Sequence, residues 1–196
     1  MEKTSPSLIL ASSSSYRRQI LERLGLIFQC RSPDIDESPR DGESAESLVR
    51  RLAEDKTRAV ATDLTEGLVI GSDQVAVLRG RIMGKPADHD DAVAQLRSGS
   101  GSETTLYCGV ALLNVASGNS QCAVERVTVQ CRDLTEEEIL RYLEVDKPYD
   151  CCGSLKVEGL GISLLRSISS DDPNAITGLP VIRLLDMLRA EGVTLP

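Results

Sequence analysis

The sequence predicts a mixed α/β fold, and three observations carry that reading. The first is the run Leu68-Val69-Ile70-Gly71-Ser72-Asp73-Gln74-Val75-Ala76-Val77-Leu78, apolar on both alternation faces, the pattern of a strand covered on both sides. The second is an amphipathic helical stretch from about Ser44 to Ala61, with Leu48, Val49, Leu52, Ala53, Ala59 and Val60 on one face. The third is the capping-box match Thr135-Glu136-Glu137-Glu138, which starts a helix running to about Glu144.

The remaining elements follow in order. Ser7 to Ala11 reads as a strand, Ser12 to Ser15 as a polar turn, and Tyr16 to Leu24 as a helix ended by Gly25. A short strand near Ile27 to Arg31 precedes an acidic loop, Ser32 to Glu43. After the long strand, Arg79-Gly80 turns the chain into a hairpin partner ending at Met83. A helix follows over Asp88 to Leu96. Glu103 to Val115 and Gln121 to Arg132 alternate as paired strands around Ser117-Gly118-Asn119. A last strand is expected over Ile162 to Leu165 and a final helix over Leu179 to Glu191. No internal repeat, low-complexity tract or linker divides the 196 residues, so residues 1–196 read as one domain.

Composition removes several functional classes. The net charge of −8 speaks against a nucleic-acid-coating or membrane-surface role, either of which needs a basic field. A local Lys/Arg cluster can still hold a small anion within a Debye length. With no Trp and Phe28 as the one Phe, a stacking surface for single strands is not expected. Six cysteines without a C-x-x-C pair, and one His, leave no zinc-finger set. The apolar run Leu8 to Ala11 is too short for a signal or a membrane span. A reducing cytoplasmic setting is the expectation.

Asp73 is the residue most in need of an explanation. A carboxylate in the middle of a covered strand costs several kcal/mol, of order 2–7, unless a cation, a metal or donors hold it. Perturbed carboxylates gather at active sites; the plain alternative is a solvated Asp at a bulge. Lys56 stands at i+4 from Leu52, on the apolar face of its helix. Such a Lys either snorkels to an edge or meets a carboxylate or phosphate. Arg17 and Arg18 fall in a first helical turn, where cations are unfavourable and an anion is wanted. With Ser12 to Ser15, they sketch a phosphate cradle, or else exposed arginines beside ordinary caps. Lys85, between Gly84 and Pro86, is on spacing alone a solvated loop residue. Asp36 or Glu37 could join Asp73 around a divalent ion, though acidic loops are commonly just solvated. His89 reads as a surface residue at a helix start. The set lacks a good nucleophile, which suggests metal-assisted attack of water on a phosphoanhydride.

These residues resemble the Maf-like nucleotide pyrophosphatases. The resemblance rests on Leu8 to Arg18, Asp36-Glu37, Leu52-Ala53 with Lys56, Ile70 to Gln74 and Gly84-Lys85-Pro86. It continues through Cys152-Gly153-Ser154, Glu158-Gly159, Asp172-Pro173-Asn174 and Gly178-Leu179-Pro180. It implies a mixed twisted sheet in two lobes around a deep cleft, related to the inosine triphosphate pyrophosphatases, and a homodimer. It also implies hydrolysis of a nucleoside triphosphate with a divalent cation, Mg or Mn. Asp73 becomes the proton acceptor. Ser12, Arg17, Lys56 and Lys85 line the phosphate path, and Glu37 with Asp73 is the candidate metal set. Tyr16, Gln74 and Glu158 resemble the specificity set of the 7-methyl-GTP subgroup. An N7-methylated guanine carries positive charge, which suits an aromatic face and a carboxylate.

Two departures concern that subgroup pattern: Ser15 where Pro is usual, and Leu155 where an aromatic is usual. Other readings are the same reaction on dTTP, UTP or another modified nucleotide, or a nucleotide-sensing regulator of cell division without turnover. An intact Asp73 with Lys56 and Lys85 argues against the regulator.

Overall fold

The structure, a computed structural model, describes residues 6–195. It holds a seven-stranded mixed sheet in the order β2-β1-β3-β5-β6-β7, with β4 paired to β3. The strands are β1 (Leu8–Ala11), β2 (Phe28–Cys30), β3 (Leu68–Leu78), β4 (Arg81–Met83), β5 (Glu103–Asn114), β6 (Ser120–Cys131) and β7 (Leu165–Ser169). The helices are α1 (Ser15–Arg23), α2 (Ala45–Ala61), α3 (His89–Gly99), α4 (Glu136–Asp146) and α5 (Val181–Ala190). Among the described residues no helix is long and apolar enough to cross a membrane.

The chain forms two compact units, residues 6–73, 108–125 and 172–195 in one and 74–107 and 126–171 in the other. In the first, β1 runs parallel to both β2 and β3, with Ala11 opposite Gly71. Alternation sorts its core onto two faces. Leu8, Leu10, Leu68 and Ile70 pack with Ile20, Leu21, Leu184 and Leu188 of α1 and α5, while Ile9, Ala11 and Val69 meet Val60 of α2. The second unit centres on Ala92, Val93 and Leu96 of α3 against Ile139, Tyr142 and Leu143 of α4. The Thr135–Glu138 capping box opens α4 as its sequence predicts.

Two glycines let α2 lie close to the sheet. A Cβ on Gly71 would sit 2.2 Å from the carbonyl oxygen of Ala53, and one on Gly109 would sit 2.3 Å from that of Val49. Backbone cannot yield as a flexible side chain does, so Gly71→Ala is expected to cost about 3 kcal/mol or more. Thermal unfolding checks this: a melting temperature within about 2 °C of the wild type would contradict so tight a contact.

Three expected elements need correction. The last strand is Leu165–Ser169, not Ile162 to Leu165; residues Leu160–Leu164 form a 3-10 turn. The Asp146 carboxylate accepts the N–H groups of Leu160 and Gly161, at 2.6 and 3.2 Å, and winds that segment. α5 starts at Val181, because Leu179 is drawn into the core and Pro180 caps the helix. α3 continues to Gly99, past the expected end at Leu96.

Candidate active site

Period-two alternation along β3 determines what each residue of Gly71-Ser72-Asp73 meets. Gly71 and Asp73 face α2, and Ser72 faces the opposite side. Ala53 of α2 rests on Gly71, and Lys56, one helical turn later, is brought to Asp73. Lys56 Nζ donates to Asp73 Oδ1 at 2.7 Å, with both side chains less than a tenth exposed. Lys56 therefore does not snorkel; it turns inward to a carboxylate.

A second carboxylate reaches the same ammonium. Glu37 Oε1 lies 2.9 Å from Lys56 Nζ, although Glu37 is itself mostly exposed. The acidic loop is held in place by Arg51 of α2, whose Nε and Nη2 each lie 2.7 Å from a Glu43 oxygen. Nη2 of Arg51 also donates to the Ser38 carbonyl at 3.1 Å. The guanidinium beside Glu43 holds that carboxyl down at about 2. This Arg51 anchor was not visible in the sequence, where a basic residue on an exposed helix flank carries no signal.

Burial lifts the Asp73 carboxyl above its ordinary range. The Lys56 ammonium and the more distant Arg17 work against that lift, and Glu37 adds to it. A raised carboxyl is a better proton acceptor than an ordinary Asp once ionised.

Arg17 and Arg18 part company. Arg18 is exposed and pairs with Glu22 one turn along α1, at 2.8 Å. Arg17 is half-buried; its Nε donates to the Gly178 carbonyl at 2.8 Å and its Nη1 to Ser12 Oγ at 3.3 Å. Ser12 is buried and accepts the N–H of Ser14, while Ser14 caps α1 through the N–H of Arg17. The serine-rich turn thus presents Arg17 beside a helix N-terminus, an arrangement suited to phosphate oxygens.

The other expected site residues are placed as follows. Tyr16 is half-buried on α1, in the same unit as Asp73. Gln74, Lys85 and Glu158 belong to the second unit; Gln74 is half-buried in β3, while Lys85 and Glu158 are exposed and make no ion pair among the described residues. His89 is exposed at the first position of α3, as its sequence suggests. The six cysteines are all thiols, and burial pushes that of Cys108 up to about 12, so it stays protonated.

Among the described residues no three His, Cys, Asp or Glu side chains are grouped to hold a metal. Asp73 and Glu37 nevertheless offer two hard carboxylates around one ammonium. That donor set fits Mg or Mn, which bind through one or two carboxylates with the substrate's phosphates and water completing the shell.

Comparison with known proteins places the fold and the family. The fold is similar to that of the Staphylococcus aureus Ham1 protein, with a TM-score of 0.53 at 15% identity, covering 94% of this chain and 99% of that one. The chain is 56% identical over 191 residues to the 7-methyl-GTP pyrophosphatase of Pseudomonas aeruginosa, covering 97% of this chain and all of that protein. It is 47% identical to the 7-methyl-GTP pyrophosphatase of Alcanivorax borkumensis, with both chains covered fully. Residues 7–191 match the description "Maf-like protein", and the chain belongs to the Maf-like family.

Proposed function

We propose that this protein is a nucleoside triphosphate pyrophosphatase that cleaves 7-methyl-GTP between its α and β phosphorus atoms. The products are 7-methyl-GMP and pyrophosphate. The carrying observation is the buried Asp73 carboxylate, 2.7 Å from the Lys56 ammonium on a strand that also bears the contact surface for α2. The choice of substrate draws on the activity named for relatives about half identical over nearly their whole length.

In this reading Asp73 takes a proton from the attacking water, and Lys56 keeps the carboxylate ionised and oriented. Arg17, Ser12 and Lys85 bind phosphate oxygens and offset the charge that develops on the leaving pyrophosphate. Asp73 and Glu37 would hold a divalent cation, Mg or Mn, which adds positive charge near the phosphates when bound. Tyr16 offers a face to the methylated, positively charged guanine, Glu158 a carboxylate, and Gln74 both a donor and an acceptor. The same reading takes the working form as a cytoplasmic homodimer acting on a free nucleotide.

The test is pyrophosphate release with Mg or Mn from 7-methyl-GTP, GTP, dTTP and UTP at equal concentration. The expected result is a clear preference for 7-methyl-GTP over GTP, since only the methylated base carries the positive charge. Preference for the pyrimidine nucleotides would overturn the roles given to Tyr16 and Glu158. Nucleotide binding without any pyrophosphate release would overturn the enzymatic reading altogether.

A further inference from the structure

The segment from Asp172 to Pro180 has no part in the chemistry above, yet it touches the arginine that does. Asp172 is 1% exposed; its Oδ2 accepts the N–H of Ile182 at 2.6 Å and its Oδ1 that of Asn174 at 2.9 Å. Asn174 Oδ1 in turn accepts Nη2 of Arg23, from the last turn of α1, at 2.9 Å. Four residues on, the Gly178 carbonyl accepts Nε of Arg17, from the first turn of the same helix.

That carbonyl has a second partner. Ser72, with no solvent exposure, places its Oγ 2.8 Å from the Gly178 oxygen and 2.7 Å from the Gly109 oxygen. A hydroxyl has one proton, so it cannot donate fully to both carbonyls at once. It ties the Gly178 loop to the strand bearing Asp73, through the face opposite the carboxylate. We propose that Ser72 is a positioning residue for Arg17, acting through the Gly178 carbonyl. One rigid strand then sets both ends of the site. Asp73 on one face holds the proton-accepting end; Ser72 on the other holds the loop that aims Arg17. With Nε on Gly178 and Nη1 on Ser12, the rest of the guanidinium fork is left for phosphate oxygens. Sequence offers a hint of this role: Ser72 is a polar residue on an apolar face of a strand covered on both sides.

This inference rests on the phosphate-binding role proposed for Arg17, and its test separates the two. Wild type, Ser72→Ala, Arg17→Ala and the double variant are compared for kcat/KM and for affinity to inorganic pyrophosphate by calorimetry. Ser72→Ala is expected to lower kcat/KM by about 10–100-fold, the scale of a misplaced binding group. The double variant is expected to match Arg17→Ala within about threefold, because the two residues act as one unit.

Multiplied effects in the double variant would overturn the proposal, as would wild-type kcat/KM or wild-type pyrophosphate affinity in folded Ser72→Ala. If Ser72→Ala does not fold, the near-isosteric Ser72→Cys, whose thiol is a weak donor, takes its place in the same comparison. Weakened pyrophosphate binding in both single variants, alongside a wild type that hydrolyses no nucleotide, would sustain the positioning role and sink the activity.

Discussion

Replacing Asp73 with Asn is expected to lower kcat by about 10²–10⁴-fold, the range for loss of a general base. The fold is expected to survive. The amide keeps the side chain's shape and removes a charge that burial opposes, because Asp73 is lifted above its ordinary carboxyl range by desolvation first of all. The sign of the pH linkage agrees. A carboxyl raised in the folded state contributes its stability below the unfolded value of about 4, and that contribution is lost as pH rises through the folded value. Above that folded value the wild type therefore carries the cost of an ionised Asp73, and the Asn variant does not. Against this, Lys56 loses its better-buried counter-charge and keeps Glu37 alone as an ion-pair partner. Steady-state kinetics with a thermal melt checks both halves. Wild-type turnover in a folded Asp73→Asn protein would end the assignment of the base.

Lys56→Met is expected to be as damaging to activity and far more damaging to stability. It leaves the Asp73 carboxylate buried without its ammonium, and breaking a buried pair costs about 3–5 kcal/mol when the orphaned charge persists. The loss is expected to depend on pH in a stated direction. Without Lys56, the Asp73 carboxyl is raised further, so the variant recovers stability as pH falls and loses it as pH rises. Its kcat/KM profile is expected to show the acid-side midpoint at higher pH than the wild type, with the plateau reduced by about 10²–10³-fold. Melting temperatures and rates between pH 5 and pH 9 give both readings. An unmoved midpoint would mean that Lys56 does not control the ionisation of Asp73.

The two carboxylates that share Lys56 are placed for different roles. Glu37 is more than half exposed and reaches the ammonium from a loop that Arg51 anchors through Glu43 and Ser38. Asp73 is rigid in mid-strand. Rigid placement suits proton acceptance, which needs fixed geometry, whereas a loop carboxylate can follow a bound cation.

Much of this was legible in the chain. β3 showed itself as a run apolar on both faces, and the structure covers its first residues, Leu68 to Ile70, with α1 and α5 on one side and α2 on the other. Asp73 and Lys56 were each conspicuous because each breaks its own pattern: a carboxylate in a covered strand, an ammonium on an apolar helix face. The Thr135 capping box was legible because it depends on residues three apart. What failed were local boundaries decided from afar. The Asp146 carboxylate wound residues Leu160–Leu164 into a 3-10 turn, where the chain was expected to enter a strand at Ile162. Arg18 looked equivalent to Arg17 in sequence, but neighbours one turn along α1 took it for a surface pair.

By itself, then, the sequence determined which residues pay a burial cost and so need partners, because periodicity of 2 and 3.6 assigns each side chain a face. It could not name the partners. Only the tertiary structure decided that Lys56 answers both Asp73 and Glu37, and that the Gly178 carbonyl stands between Ser72 and Arg17. Pairings across 17 and 106 positions depend on how close α2 and the 172–180 loop come to β3, and packing sets those distances through contacts such as Ala53 on Gly71.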